Sequence, residues 1–203
     1  LTFSYTVDNS AVATVDANGV VTAVAAGTAN ITATTTDGTN LTSDPCVVTV
    51  SNVKVTAVDL AQESAVVRVG ASVTLSATVS PESATNKKVN WSSSKDFATV
   101  ADGVVTGVSA GTTTITAESD EDKYIKATCS VEVVDASDLQ TEIANGNAAL
   151  SSAVEGTEIG TYKVGSKSTF SSAIATAQAV FDNAMATQAQ VDMALSTLKA
   201  AAK

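Results

Sequence analysis

The sequence contains no histidine. That removes the commonest general base, every histidine-containing nucleophilic arrangement and any zinc site built on imidazole, so the chain reads as non-enzymatic. Arginine is almost missing as well: Arg68 is alone, and 11 basic residues face 21 acidic ones for a formal net charge of -10. No surface can neutralise a run of phosphates, which excludes nucleic acid as a partner. The charge divides as -4 over residues 1–52, -4 over 53–135 and -2 over 136–203. Such spreading serves solubility more than a focused field. Aromatic residues make up 4%, too few for a stacking platform. No apolar run is long enough to cross a bilayer, so membrane insertion is not expected, and an anionic membrane would repel the chain. The N-terminus carries neither a charged leader nor an apolar signal core, and the expectation is a mature form or a piece of something longer. Proline occurs twice, at Pro45 and Pro81. Both precede residue 136, as does the densest Val/Thr content, whereas the remainder is rich in Ala, Gln and Ser. A change of structural class is therefore expected near Asp135.

What is present is a repeat. GVVTAVAAGTANITA at residues 19–33 returns as GVVTGVSAGTTTITA at 103–117, with eleven of fifteen positions identical. The alignment extends outward, placing Tyr5 opposite Trp91, Ala13-Thr14-Val15 opposite Ala98-Thr99-Val100, and Cys46 opposite Cys129. Apolar and polar residues alternate through Ala29, Ile31 and Ala33, through Thr113, Ile115 and Ala117, and through Val73, Leu75, Ala77 and Val79. This is the period of antiparallel strands with one dry and one wet face. Glycines at 19, 27, 103 and 111 and the Asp37-Gly38 pair punctuate the strands. Many short strands with regular turns predict a β-sandwich.

On these residues the chain resembles the bacterial immunoglobulin-like group 2 domains, through ATVDANGVVTAVAAGTANITA (13–33) and ATVADGVVTGVSAGTTTITA (98–117). The second copy also carries the preceding half, from VKVTAVDL (53–60) through VRVGASVTLSATVSP (67–81) to NKKVNWSSS (86–94). The first copy has four residues ahead of Tyr5, where the second has 38 ahead of Trp91, so it is expected to lack its opening strands. A half-sandwich exposes apolar faces and sheet edges, which favours self-association. The inward side chains Ala29, Ile31, Cys46 and Val48 are expected to lack part of their cover.

From Ala136 the period becomes helical, with Leu139, Ile143, Leu150 and Val154, then Phe170, Ile174, Ala177 and Phe181, then Val191, Leu195 and Leu198. Three helices are predicted. Ser137 with Gln140, and Thr187 with Gln190, stand at capping-box spacing. Residues 155–168 form a glycine-bearing loop. Through GTEIGTYKVGSKSTFSSAIATAQAVFDNAMATQAQVDMALSTL (156–198) this segment resembles a FIVAR module. The predicted whole is a multidomain chain: two all-β immunoglobulin-like sandwiches over 1–52 (partial) and 53–135 (complete), followed by an all-α three-helix module over 136–203.

Candidate chemistry is sparse. Glu118, Asp120 and Asp122, with Glu121, form the densest carboxylate group and are a weak calcium candidate, although the spacing also suits a solvated hairpin turn. Cys46 and Cys129 occupy equivalent places on apolar strand faces, so both are expected to be buried free thiols rather than one disulfide. Trp91 and Tyr5 are expected to pack in cores on central strands, with Trp91 buried. Tyr162, in the loop of the helical module, is the candidate ligand-binding residue or else a structural anchor. No cofactor is expected. The resemblances imply a bacterial cell-surface or secreted protein whose partner is an extracellular glycan or a host or cell-surface protein. Its role would be adhesion or spacing, or else accessory modules of a secreted glycan-degrading enzyme.

Overall fold

The computed structural model describes residues 2–203. The chain falls into two compact units, one made of residues up to 55 with 81–86, the other of 56–80 with 87–203.

In the first unit, β1 (Phe3–Val7), β4 (Gly27–Thr35) and β5 (Cys46–Val50) form an antiparallel sheet in the order β1-β4-β5. A hairpin of β2 (Ala13–Val15) and β3 (Val21–Ala23) accompanies it. The hairpin turn is fixed by the Asp16 carboxylate, which accepts the N–H groups of Asn18 (2.9 Å) and Val20 (2.8 Å). These bonds hold its pKa below the ordinary carboxylate range, the Val20 contact contributing most. The core is small: Val12, Ala13 and Ala29, with Val7, Val48 and Val50 against them.

The second unit contains a full sandwich. One sheet runs β10 (Val89–Ser93), β13 (Gly111–Ser119), β14 (Lys126–Val134), β7 (Ser64–Arg68), with β7 parallel to β14 and the rest antiparallel. A second sheet runs β11 (Ala98–Ala101), β12 (Val104–Gly107), β8 (Ser72–Thr74), and β6 (Ala57–Leu60) pairs with β9 (Ala77–Ser80). The inward residues of β13 and β14, namely Ile115, Cys129, Val131 and Val133, meet Ala65, Val67, Leu75 and Val105 in one core. The expected strand through Val73–Val79 is interrupted at Leu75 and Ser76. There it leaves one partner strand for another: Leu75 N–H donates to Gly103 O (2.8 Å) and Ser76 O accepts from Ala61 N–H (3.1 Å). Thr113, on the inner face of β13, is buried but satisfied, since its hydroxyl meets Ser93 and Ser94 and accepts the Lys95 N–H.

Two expectations about burial are corrected. Trp91 is half-buried, because β10 is the edge strand of its sheet rather than a central one; β1, carrying half-buried Tyr5, is likewise an edge. Cys129 is fully buried but Cys46 is exposed, and both thiols are free. The reason is visible by comparing the copies: β14 has β7 alongside it, whereas its counterpart β5 lies at the edge of its sheet. Ala29 and Ile31 are nevertheless buried, so the loss of cover in the first unit falls on β5.

The helical part follows as α1 (Ser137–Ser152), α2 (Ser166–Asp182) and α3 (Gln188–Ala201). Leu139, Ile143, Ile174, Ala177, Val191 and Leu198 are buried between them. Val154, expected on the apolar stripe, is exposed because α1 ends before it. At α3 the capping box forms: Thr187 Oγ1 accepts Gln190 N–H, and Gln190 Oε1 accepts Thr187 N–H (2.9 Å). At α1 it does not. Ser137 is already helical, and the Asp135 carboxylate two residues earlier takes the Ser137 N–H (2.9 Å) instead.

Candidate functional site

Two places in the second unit have built geometry: the junction of sandwich and helices, and a cleft at the far end of the helical bundle.

The junction begins in the alternation of β14. Cys129, Val131 and Val133 point into the sandwich, and by period two Val134 should face water. Instead Val134 is 0% exposed and belongs to the core of the helical bundle with Leu139, Ile143, Val191 and Leu198. Val66, on the neighbouring strand β7, packs against the same cluster. The last strand of the sandwich thus serves two cores, one on each face, and only Asp135 and Ala136 separate it from α1.

Polar contacts surround this apolar seam. Glu132 Oε1 accepts the backbone N–H of Gln188, the first residue of α3 (2.9 Å). The Gln188 side chain accepts Asp135 N–H (2.8 Å) and donates to Asp135 O (3.0 Å), reproducing the exchange of a paired strand. Arg68 Nη2 donates to Phe181 O (3.4 Å) and Asn183 O (3.0 Å) at the end of α2. The sandwich therefore presents a carboxylate to one helix N-terminus and a guanidinium to a helix C-terminus, each sign matched to the local macrodipole. Asp135, which accepts the Ser137 N–H, has its pKa held below the ordinary value by hydrogen bonding to Ser137. Sequence reasoning missed Arg68, Glu132, Val134 and Gln188. Its available signal was the Val133-Val134 doublet, a break in period two just before the class change.

At the other end, the C-termini of α1 and α3 and the N-terminus of α2 enclose a cleft of about 310 Å³. Leu150 and Phe170 form its floor, and Tyr162, Lys163, Lys167 and Lys203 its rim. Tyr162 is 60% exposed, yet its backbone is pinned on both sides: its N–H donates to Val154 O (2.8 Å) and its carbonyl accepts Gly156 N–H (2.9 Å). Lys167 Nζ donates to Ala153 O (2.9 Å), and Glu155 accepts the Lys167 backbone N–H, the main cause of its lowered pKa.

The remaining candidates are dispersed. Asp120 Oδ1 is engaged by Lys88 Nζ (3.1 Å) and Asn90 Nδ2 (3.0 Å), Asp122 caps the turn through Tyr124 N–H (2.9 Å), and Glu118 stands opposite Lys126 across the hairpin. Among the described residues no three His, Cys, Asp or Glu side chains converge as a metal site would require. Burial raises the Cys129 pKa, so that thiol stays protonated and inert. Among the described residues no helix is long and apolar enough to cross a membrane.

The fold and these sites define a protein of immunoglobulin-like sandwiches with the last one welded to a three-helix module. The chain belongs to the bacterial Ig-like domain (group 2) family, whose model matches residues 2–51 and 54–131, and it ends in a FIVAR domain matching 135–203. Among curated proteins it is similar to a 3-O-alpha-D-galactosyl-alpha-L-arabinofuranosidase of Bifidobacterium longum subsp. longum, 40% identical over 89 residues, 43% of this chain and 8% of that protein. An alpha-L-arabinofuranosidase of the same subspecies is 53% identical over 51 residues, 24% of this chain and 5% of that one. The chain thus spans less than a tenth of the length of these relatives. Among solved structures, domains 4 and 5 of the S-layer protein SbsC align at 26% identity over 65% of this chain and 70% of theirs, with a TM-score of 0.38.

Proposed function

We propose that this chain is a non-catalytic segment of a bacterial cell-surface or secreted protein, acting as a spacer or in adhesion. The observation that carries the spacer role is the double-faced β14. A flexible linker would let neighbouring modules turn independently, whereas a shared valine seam with three polar clamps fixes the direction in which the helical module leaves the sandwich. The open side of β5 adds a surface through which the first module self-associates, as an unpaired strand edge does. To test the spacer role, the segment is displayed on a bacterial surface with a peptide tag beyond the helices. The native segment should hold the tag accessible to a bulky antibody, and a Gly/Ser tract of equal residue number should lower that accessibility. Equal accessibility would contradict the reading.

Local identity to two arabinofuranosidases favours a second reading, that these modules are an accessory part of a secreted glycan-degrading enzyme. Retention of the purified chain on insoluble arabinan, without hydrolysis, would support it. Free passage through the same matrix would count against it.

A further inference from the structure

The helical module sorts its charges by end. Its four basic residues are Lys163, Lys167, Lys199 and Lys203, and its six acidic ones Asp138, Glu142, Glu155, Glu158, Asp182 and Asp192. Helix directions place Asp138, Glu142, Asp182 and Asp192 toward the sandwich, at the starts of α1 and α3 and the end of α2. All four lysines lie toward the opposite end, three of them on the cleft rim and Lys199 in the last turn of α3. The carboxylates sharing that end are Glu155, bonded to the Lys167 N–H, and Glu158. In a chain of net charge -10, three of the 11 basic residues therefore line one small concavity.

We propose that this cleft binds an acidic saccharide, a glycan bearing uronate carboxylates, with Tyr162 stacked on a sugar ring and Lys163 and Lys167 meeting the carboxylate. The volume lies at the lower end of small-ligand sites, roughly 300–1,000 Å³, and fits one or two sugar rings rather than a folded partner. The apolar floor of Leu150 and Phe170 and the exposed face of Tyr162 suit the C–H face of a pyranose, and an aromatic with a pinned backbone loses little freedom on binding. Lysines act as point charges, matching a carboxylate that projects from a ring at variable angle. Lys167 keeps two ammonium protons after serving Ala153 O. Neutral sugars would leave the lysines without a role, and an acidic peptide would leave Tyr162 without one. The proposal is independent of the spacer reading, since a flexible junction would leave the cleft unchanged.

The test is calorimetric titration of the whole chain with tetragalacturonate, with a neutral galactan tetramer and polyglutamate as the other arms. Binding of tetragalacturonate that weakens with added salt is expected, with weak or no binding of the other two. Tyr162→Ala and Lys163→Glu should each weaken it at least about tenfold, while Tyr162→Phe stays close to the native affinity. Both residues are exposed, and thermal melting checks that the variants fold. Should Tyr162→Ala unfold the module, Tyr162→Phe and Lys163→Glu decide. The proposal is overturned by no detectable tetragalacturonate binding, by equal binding of the neutral tetramer or of polyglutamate, or by native affinity in Lys163→Glu.

Discussion

Substituting Gly103 by alanine should be among the most damaging single-methyl changes in the second sandwich. Gly103 has φ +79, and a Cβ there would stand 2.4 Å from the carbonyl oxygen of Leu75 and 3.1 Å from Trp91 Cζ2. The Leu75 backbone has little room to retreat, because its N–H is bonded to Gly103 O itself (2.8 Å). The left-handed backbone costs about 1–2 kcal/mol for a residue with Cβ, and forcing atoms into a packed region adds about 1–3 kcal/mol. The expected loss is therefore about 2–5 kcal/mol. Its counterpart Gly19 has nearly the same φ, +80, but there the obstacle is the ring of half-buried Tyr5, with Cζ at 2.9 Å. A ring at a sheet edge can swing aside, so Gly19→Ala should cost only the backbone strain, about 1–2 kcal/mol. Urea unfolding followed by the fluorescence of Trp91, the sole tryptophan, reads the first variant directly. With a slope of about 2 kcal/mol per molar, its midpoint should fall by roughly 1–2.5 M. Circular dichroism and hydrogen exchange over residues 2–55 read the second. A loss below about 1 kcal/mol in Gly103→Ala, or equal losses at the two glycines, would refute the reasoning.

Val134→Ala removes two methyl groups from the bundle core, about 1.6 kcal/mol of transfer plus a cavity term, and should cost about 2–3 kcal/mol in urea unfolding. A thiol reagent should modify Cys46 in the native chain and reach Cys129 only after unfolding; rapid native labelling of both would contradict the burial difference. Asp135 has a depressed folded pKa, so its contribution is fully present above the unfolded value and lost as pH falls from there through the folded pKa. Asp135→Asn should therefore flatten the stability profile in that acid window and leave its shape near neutrality unchanged. The open side of β5 predicts concentration-dependent association by light scattering, and a monomer at high concentration would count against it.

Much of the fold was legible because strand alternation and helical period are local. Ala29, Ile31, Ile115 and Cys129 fell on the dry face as their spacing demands, and so did Leu139, Ile143, Ile174 and Val191 in the helices. The failures are matters of neighbourhood. Trp91 sits in a sequence pattern typical of buried positions, but burial also depends on which strand lies alongside, and no local pattern encodes that β10 is an edge; for Cys46 the local pattern said buried, while the missing opening strands of the first copy pointed to the lost cover on β5. Ser137 stands at cap spacing, yet a carboxylate two residues earlier takes its N–H. Of the candidate site, Tyr162 was visible as an aromatic in a glycine-bearing loop with Lys163 and Lys167 close by in sequence, whereas Lys203 was not, because it joins them only through the packing of the helices. The junction residues were hidden for the same reason: Glu132 and Gln188 are 56 positions apart.

The rigid junction is tested most directly by residual dipolar couplings of backbone N–H groups, measured separately for the sandwich strands β10, β13 and β14 and for the helices α1, α2 and α3. One alignment tensor should fit both sets in the native chain, and two should be needed after Val134→Ala combined with Gln188→Ala. Two tensors of different magnitude or orientation in the native chain would contradict a fixed junction, and with it the spacer role.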